Sequence, residues 1–188
     1  MSNFRRCYVA GGSYFFTVVT ERRARILATD LARDLLRAAF RDCLQRWPTF
    51  RVDAMVILPD HLHAIWTLPP GDDQYPKRWG AIKKYFTQSW LAHGGSEKPR
   101  SDSRIRYRRR GIWQRRFMEH TLRDERDYAR HFDYIHYNPV KHGLAECPRD
   151  WPYSTFRRWV KSGAYDLHWG CTTAGLLDFS DLAETVNE

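Results

Sequence analysis

The stretch "FRVDAMVILPDHLHAIWTLPP", residues 50–70, restricts the fold of this chain more than any other. It holds two apolar runs, "FRVDAMVIL" and "HLHAIWTL", joined tightly through Pro59-Asp60. Runs of this length, rich in β-branched and aromatic residues, read as strands, and so short a connection joins antiparallel neighbours. The second strand carries His61 and His63 with Leu62 between them. Alternate side chains of a strand share a face, so the two imidazoles project together and Leu62 points the other way. Strand pairing has no use for imidazole, whereas two neutral imidazoles within reach of one ion make a partial site for a divalent metal. The plainer alternative is a pair of partly exposed histidines satisfied by ordinary hydrogen bonds.

The other segments supply partners for that hairpin. "SYFFTVVT" (13–20) follows Gly11-Gly12 and reads as a strand. After Thr29 or Asp30 as N-cap, Leu31, Leu35, Leu36, Phe40, Cys43, Leu44 and Trp47 recur at helical spacing until Pro48. In "KRWGAIKKYFTQSWLAHGG", Trp79, Ile82, Phe86 and Trp90 share a stripe; Lys77, Arg78, Lys83 and Lys84 occupy the other face, and Gly94-Gly95 ends the helix. Residues 94–111 carry little apolar content and read as a flexible basic loop or hairpin. "IWQRRFMEHTL" offers another strand, and "RDERDYARHFDYIHYNP" a third long helix that Asn138-Pro139 ends. From "WPYSTFRRWV" onward the chain reads as irregular, apart from a short helix near the end. The order strand, helix, strand, strand, helix, strand, helix predicts an α+β fold: an antiparallel β-sheet with flanking helices and a ferredoxin-like core.

Charge narrows the partners. The 188 residues hold 31 Lys+Arg against 22 Asp+Glu, a net charge of +9. An excess of this size favours a polyanion, usually nucleic acid. An anionic membrane surface is the rival, yet no segment reaches the roughly 18–20 apolar residues that span a bilayer. The first residues lack an apolar core followed by a small-residue cleavage site, so the expected location is the cytoplasm. Cys7, Cys43, Cys147 and Cys171 are scattered, without zinc-finger spacing, and read as reduced thiols. Aromatics make up 15% of the chain, and beside arginines they suit nucleotide stacking as well as a core.

A two-histidine site needs a third ligand and a reaction. On the third helix, Tyr134 and Asn138 are four residues apart and share a face. They flank an apolar stripe of Tyr128, Phe132 and Ile135, where side chains can edge a groove. The plainer readings are a tyrosine at a core margin and a C-cap before Pro139. His120, His131, His136 and Asp60 compete as metal ligands. "YRRRG" and "WQRRF" set arginines beside aromatics, which suits a phosphate backbone with bases stacked nearby, although a charge run is also an ordinary solvated face.

Taken together, "FRRCYVAGGSYFFTVV", "VILPDHLHAIWTLPPGD", "RWGAIKKYFT", "WQRRFMEH", "DYIHYNPVKHGL" and "WPYSTF", in this order over residues 4–156, resemble the REP-associated tyrosine transposases, a branch of the single-tyrosine HUH superfamily. The resemblance implies that Tyr134 is the nucleophile and that His61, His63 and Asn138 hold Mg2+ or Mn2+. Insertion-sequence relatives carry Gln where this branch has Asn. It further implies a single-stranded DNA substrate bearing a REP hairpin, cut through a 5′-phosphotyrosine intermediate, and a protein that works as a monomer, with a dimer as the alternative. Arg5, Arg6, Arg78, Lys83, Lys84, Arg115 and Arg116 are the expected DNA contacts, joined by Arg108, Arg109 and Arg110. Residues 1–160 would form the catalytic domain, with a basic insertion at about 94–111, and 161–188 a tail packed on or near the active site. Two rival functions remain at this point: a REP-hairpin binder without catalysis, and a metal-dependent nuclease that uses water.

Overall fold

The computed structural model describes residues 8–47, 49–171 and 177–182. Four strands, β1 (Ser13–Val19), β2 (Arg51–Ile57), β3 (His61–Thr67) and β4 (Met118–Thr121), form one sheet in the order β2-β3-β1-β4. Every neighbouring pair is antiparallel. The helices α1 (Asp30–Arg46) and α2 (Tyr75–Ala92) complete a β-α-β-β-α-β unit, the ferredoxin-like arrangement expected from the element order. A third long helix, α4 (Glu125–Lys141), follows β4. Between α2 and β4 lies the short α3 (Asp102–Arg106), and α5 (Phe156–Lys161) comes after α4.

Strand alternation divides the interior in two. Tyr14, Phe16 and Val18 of β1 and Leu62, Ala64 and Trp66 of β3 pack with α1 and α2. Trp66 is fully buried and stacks on Trp79 of α2 at 4.3 Å between ring centroids. Burying a side chain of this class contributes roughly 1.5–3 kcal/mol, before specific ring geometry adds to it. The opposite face meets α4: Phe15, Ala54, Val56 and Ile65 pack with Tyr134, Ile135 and Tyr137.

Several expectations need correction. Thr29 is the N-cap of α1, its side chain accepting from the Ala32 amide, but Leu31 is 42% exposed, and Ala32, Leu36, Ala39, Phe40 and Cys43 form the buried stripe. Residues 94–111 are not wholly loop: Ser101 caps α3. The segment after 151 includes α5, a helix the tail was not expected to hold. Cys147 and Cys171 are joined in a disulfide, so the expectation of reduced thiols fails for this pair; the fold returns the tail to the turn that follows α4, a proximity that spacing alone does not disclose. Cys43 is a buried free thiol, and Cys7 lies outside the described residues.

The helix α4 runs through Pro139 to Lys141 instead of stopping before it. Its stop signal is Gly143, at φ 63°. The Leu144 amide bonds the Pro139 carbonyl and the Gly143 amide the Val140 carbonyl, the paired closure of a Schellman motif. Asn138 is therefore inside the helix and not its C-cap. The sheet-facing stripe is His131, Tyr134, Ile135 and Asn138, at most 1% exposed, whereas Tyr128 and Phe132 are only partly buried. Tyr134 and Asn138 occupy the buried stripe rather than flank it. Among the described residues, no helix is long and apolar enough to cross a membrane.

Candidate active site

The alternation that sends Leu62, Ala64 and Trp66 into the α1/α2 core sends His61 and His63 toward α4. Their rings lie 4.9 Å apart, almost perpendicular, and both are nearly fully buried. Each Nδ1 is engaged. His63 shares a hydrogen bond of 3.0 Å with the hydroxyl of Thr17, its register partner on β1. His61 meets the Asp60 carboxylate at 2.6 Å. Burial pushes the Asp60 carboxyl up, but bonds from His61 and Arg23 outweigh it and hold the group at about 2. A carboxylate or hydroxyl on Nδ1 fixes ring orientation and leaves ligation to Nε2, the usual support for a metal-bound histidine. Two imidazoles so oriented fit a divalent ion that accepts nitrogen ligands.

Tyr134 comes to these histidines from α4. Its ring centroid is 5.4 Å from that of His63 and 6.1 Å from that of Phe15. Lys141, two turns on, donates from Nζ to the Tyr134 hydroxyl at 3.1 Å. Asn138 lies one turn beyond Tyr134 on the buried stripe, fully enclosed. The segment 177–182 closes over the phenol: Phe179 sits 5.5 Å from the Tyr134 ring, and Asp181 pairs with Arg130 of α4. Tyr134 is 1% exposed.

A second group can hold a metal. Ligand atoms of His120 on β4 and of Asp127 and His131 on α4 lie within 4.8 Å of one another. As they stand, these side chains bond one another: His120 Nε2 meets Asp127 at 2.9 Å, and Arg123 donates to the same carboxylate. Burial raises the Asp127 carboxyl, but the bonds from Arg123 and His120 bring it down to about 2; burial also lowers His131. Of the other competing ligands, His136 faces Tyr165 and Thr155 away from the paired histidines.

The expected DNA contacts divide sharply. Arg78 is 2% exposed, paired with Asp72 and laid over the Phe50 ring; it is structural, because burial and a carboxylate leave it no reach to a backbone phosphate. Lys83, Lys84, Arg108, Arg109, Arg110 and Arg115 line one cavity of about 470 Å³ between α2 and the insertion. Lys83 also donates to the Gln114 carbonyl at 2.7 Å, and Arg116 is exposed. Arg5 and Arg6 lie outside the described residues. Sequence reasoning did not reach Thr17, Lys141 or Asp127. For Lys141 a signal existed, since seven residues along a helix return to the same face. For Thr17 none did, because cross-strand register belongs to the fold.

Known proteins share this layout. A REP-associated tyrosine transposase of Escherichia coli strain K12 is 42% identical over 181 residues, covering 96% of both chains. A Haemophilus influenzae protein carrying the same family name is 44% identical over 170 residues, covering 90% of this chain and 94% of its own. A solved structure of a REP-associated tyrosine transposase bound to a REP hairpin matches with a TM-score of 0.77 at 42% identity, over 96% of each chain. No protein-family model matches. The antiparallel sheet with flanking helices is the fold of a tyrosine transposase. The chain belongs to the REP-associated tyrosine transposases.

Proposed function

We propose that this protein cuts and rejoins single-stranded DNA at REP hairpins, with Tyr134 as nucleophile. The single observation that carries the reading is the 5.4 Å between the His63 and Tyr134 rings, which sets the phenol of α4 against one of the paired strand imidazoles. The hairpin substrate is inferred from the relative solved with a REP hairpin. His61, His63 and Asn138 would hold Mg2+ or Mn2+, which neutralises a nonbridging phosphate oxygen when bound. Asp60 and Thr17 orient the two imidazoles through Nδ1.

The phenolic oxygen of Tyr134 attacks phosphorus, the bond to the 3′ oxygen breaks, and the DNA stays joined to the tyrosine through its 5′ phosphate. The phenolic proton is released and the departing 3′ oxygen takes one up, so a free 3′-hydroxyl remains. Lys141, already bonded to the hydroxyl, stabilises the phenolate during attack and again when it departs on rejoining. The linkage retains the phosphodiester's energy, which makes the step reversible.

Lys83, Lys84, Arg108–Arg110 and Arg115 would hold backbone phosphates in their shared cavity, with Arg116 beside it and Arg5 and Arg6 contributing from the N-terminal segment. The insertion at 94–111 thus gains a role as one wall of that cavity. Residues 1–160 act as the catalytic domain and 161–188 as a tail over the active site; the protein works in the cytoplasm, as a monomer.

The test is a labelled REP-type hairpin oligonucleotide incubated with Mg2+ or Mn2+. A covalent protein–DNA adduct that disappears in Tyr134→Phe is expected. Cleavage that survives Tyr134→Phe would show water to be the nucleophile, and tight binding with no cleavage under either ion would reduce the protein to a DNA-binding module.

A further inference from the structure

Beside His61 opens a cavity of about 350 Å³ whose lining combines apolar Leu58, Pro59 and Leu144 with the cations Arg23 and Arg25, the Asp60 carboxylate and the imidazole of His142. Four segments build it: the connection after β1, the turn between β2 and β3, the start of β3, and the end of α4. His142 reaches within 5.6 Å of His61, ring to ring, so the cavity adjoins the paired histidines.

The arginine-bearing wall is held in a costly shape. Arg22 and Arg23 both adopt left-handed backbone conformations, at φ 53° and 49°. Two consecutive arginines there carry strain that surrounding structure must hold in place. That structure is visible: the Thr20 amide and hydroxyl both bond the Asp60 carbonyl, and the Leu27 amide bonds the Pro59 carbonyl. The tie fastens residues 20–27 to the turn that precedes His61 and presents arginines on either side of Ala24. Arg23 pairs with Asp60 at 3.2 Å, whereas Arg25 is exposed at the cavity.

We propose that this cavity binds one nucleotide of the DNA strand, the one adjoining the phosphate under attack. The proposal rests on the reading of His61, His63 and Tyr134 given above. Leu58, Pro59 and Leu144 offer apolar contact for a base, and Arg25, with Arg23 paired to Asp60, offers a cation for the sugar-phosphate. Its volume falls at the low end of the roughly 300–1,000 Å³ typical of small-ligand pockets, the scale of one unstacked nucleotide. A base can enter only when out of a duplex stack, so the cavity selects single-stranded flank over stem. Holding that nucleotide fixes the register of the chain, and with it which phosphate lies against Tyr134.

The test uses REP-type hairpin oligonucleotides with one abasic site stepped through the single-stranded flank, and a parallel set with 2-aminopurine at the same positions. At one position next to the cleaved bond, removing the base is expected to weaken binding by roughly five- to a hundredfold, with 2-aminopurine fluorescence changing at that position alone. Arg25→Ala, an exposed site that leaves the Arg23–Asp60 pair intact, and Leu144→Trp, which fills the cavity, should raise KM with kcat preserved and abolish the abasic penalty. Equal binding and cleavage of every abasic substrate, or both variants behaving as the parent protein, overturns the inference. Such a result together with an adduct lost in Tyr134→Phe leaves the transposase reading standing. A 2-aminopurine signal that persists while Tyr134→Phe still cleaves supports the nucleotide cavity and removes the tyrosine mechanism.

Discussion

The two faces of β1 and β3 are made from the same fourteen residues and do opposite work. Toward α1 and α2 the sheet presents Tyr14, Phe16, Val18, Leu62, Ala64 and Trp66, a continuous apolar surface. Toward α4 it presents Thr17, His61 and His63 among a few apolar neighbours, and α4 answers with His131, Tyr134 and Asn138, all buried. Burying polar groups is unfavourable unless they are bonded, and an apolar interface of the same shape would be more stable. One face therefore holds the protein together, while the other accepts a stability cost for an arrangement suited to chemistry.

If that division is right, substitutions on the two faces should fail in different ways. The largest effect is expected from Tyr134→Phe, which keeps the ring packing and removes the attacking oxygen: adduct formation on a hairpin oligonucleotide should fall by more than about 10³-fold, with the melting temperature little changed. On the other face, Trp66→Ala should cost about 3–5 kcal/mol of unfolding free energy, while the folded fraction still forms adduct. Arg78→Ala belongs with Trp66. It leaves Asp72 without its guanidinium and should lower stability by about 3 kcal/mol, with no change in the salt dependence of DNA binding; a weakened salt dependence would return Arg78 to the DNA surface.

Lys141 tests the chemical face more finely. Lys141→Met should slow single-turnover adduct formation by about 10²-fold with DNA affinity retained, and Lys141→Arg should recover part of the rate. Equal losses in both variants would assign Lys141 to packing. A further contrast concerns the outer side of α4. Burial lowers the His136 imidazole from 6.5 to about 3, so the native state keeps it neutral. Its contribution is complete above pH 6.5 and lost as pH falls toward 3, because the unfolded chain takes up the proton first. Melting temperature should fall across that window, less steeply in His136→Gln. The smallest effect is expected for Arg115→Ala, which should weaken binding to REP and unrelated hairpins alike and reduce the salt slope by about one.

Much of this molecule was legible in the chain itself. Period-two patterning around His61 and His63, helical stripes in α1 and α2, and the Pro59-Asp60 junction are local signals, and local signals survive without the fold. They set the element order, and element order with antiparallel pairing leaves few topologies. Pro139 misled because proline usually marks a helix end; Gly143, four residues later, was the real stop, since only the closing turn there satisfies the last carbonyls. Residue type alone placed Arg78 on a surface that the fold denies it.

What tertiary structure decided is everything that joins distant segments. The sequence determined that two imidazoles share a strand face and that Tyr134 shares a helix with Asn138. Only the packing of α4 across the sheet, with Thr17 in register opposite His63 and Phe179 brought back over the phenol, turned those separate facts into one enclosed site. The reason is physical: alternation and helical period act over a few residues, whereas which face meets which is settled by the burial of whole surfaces, a property that no single segment carries.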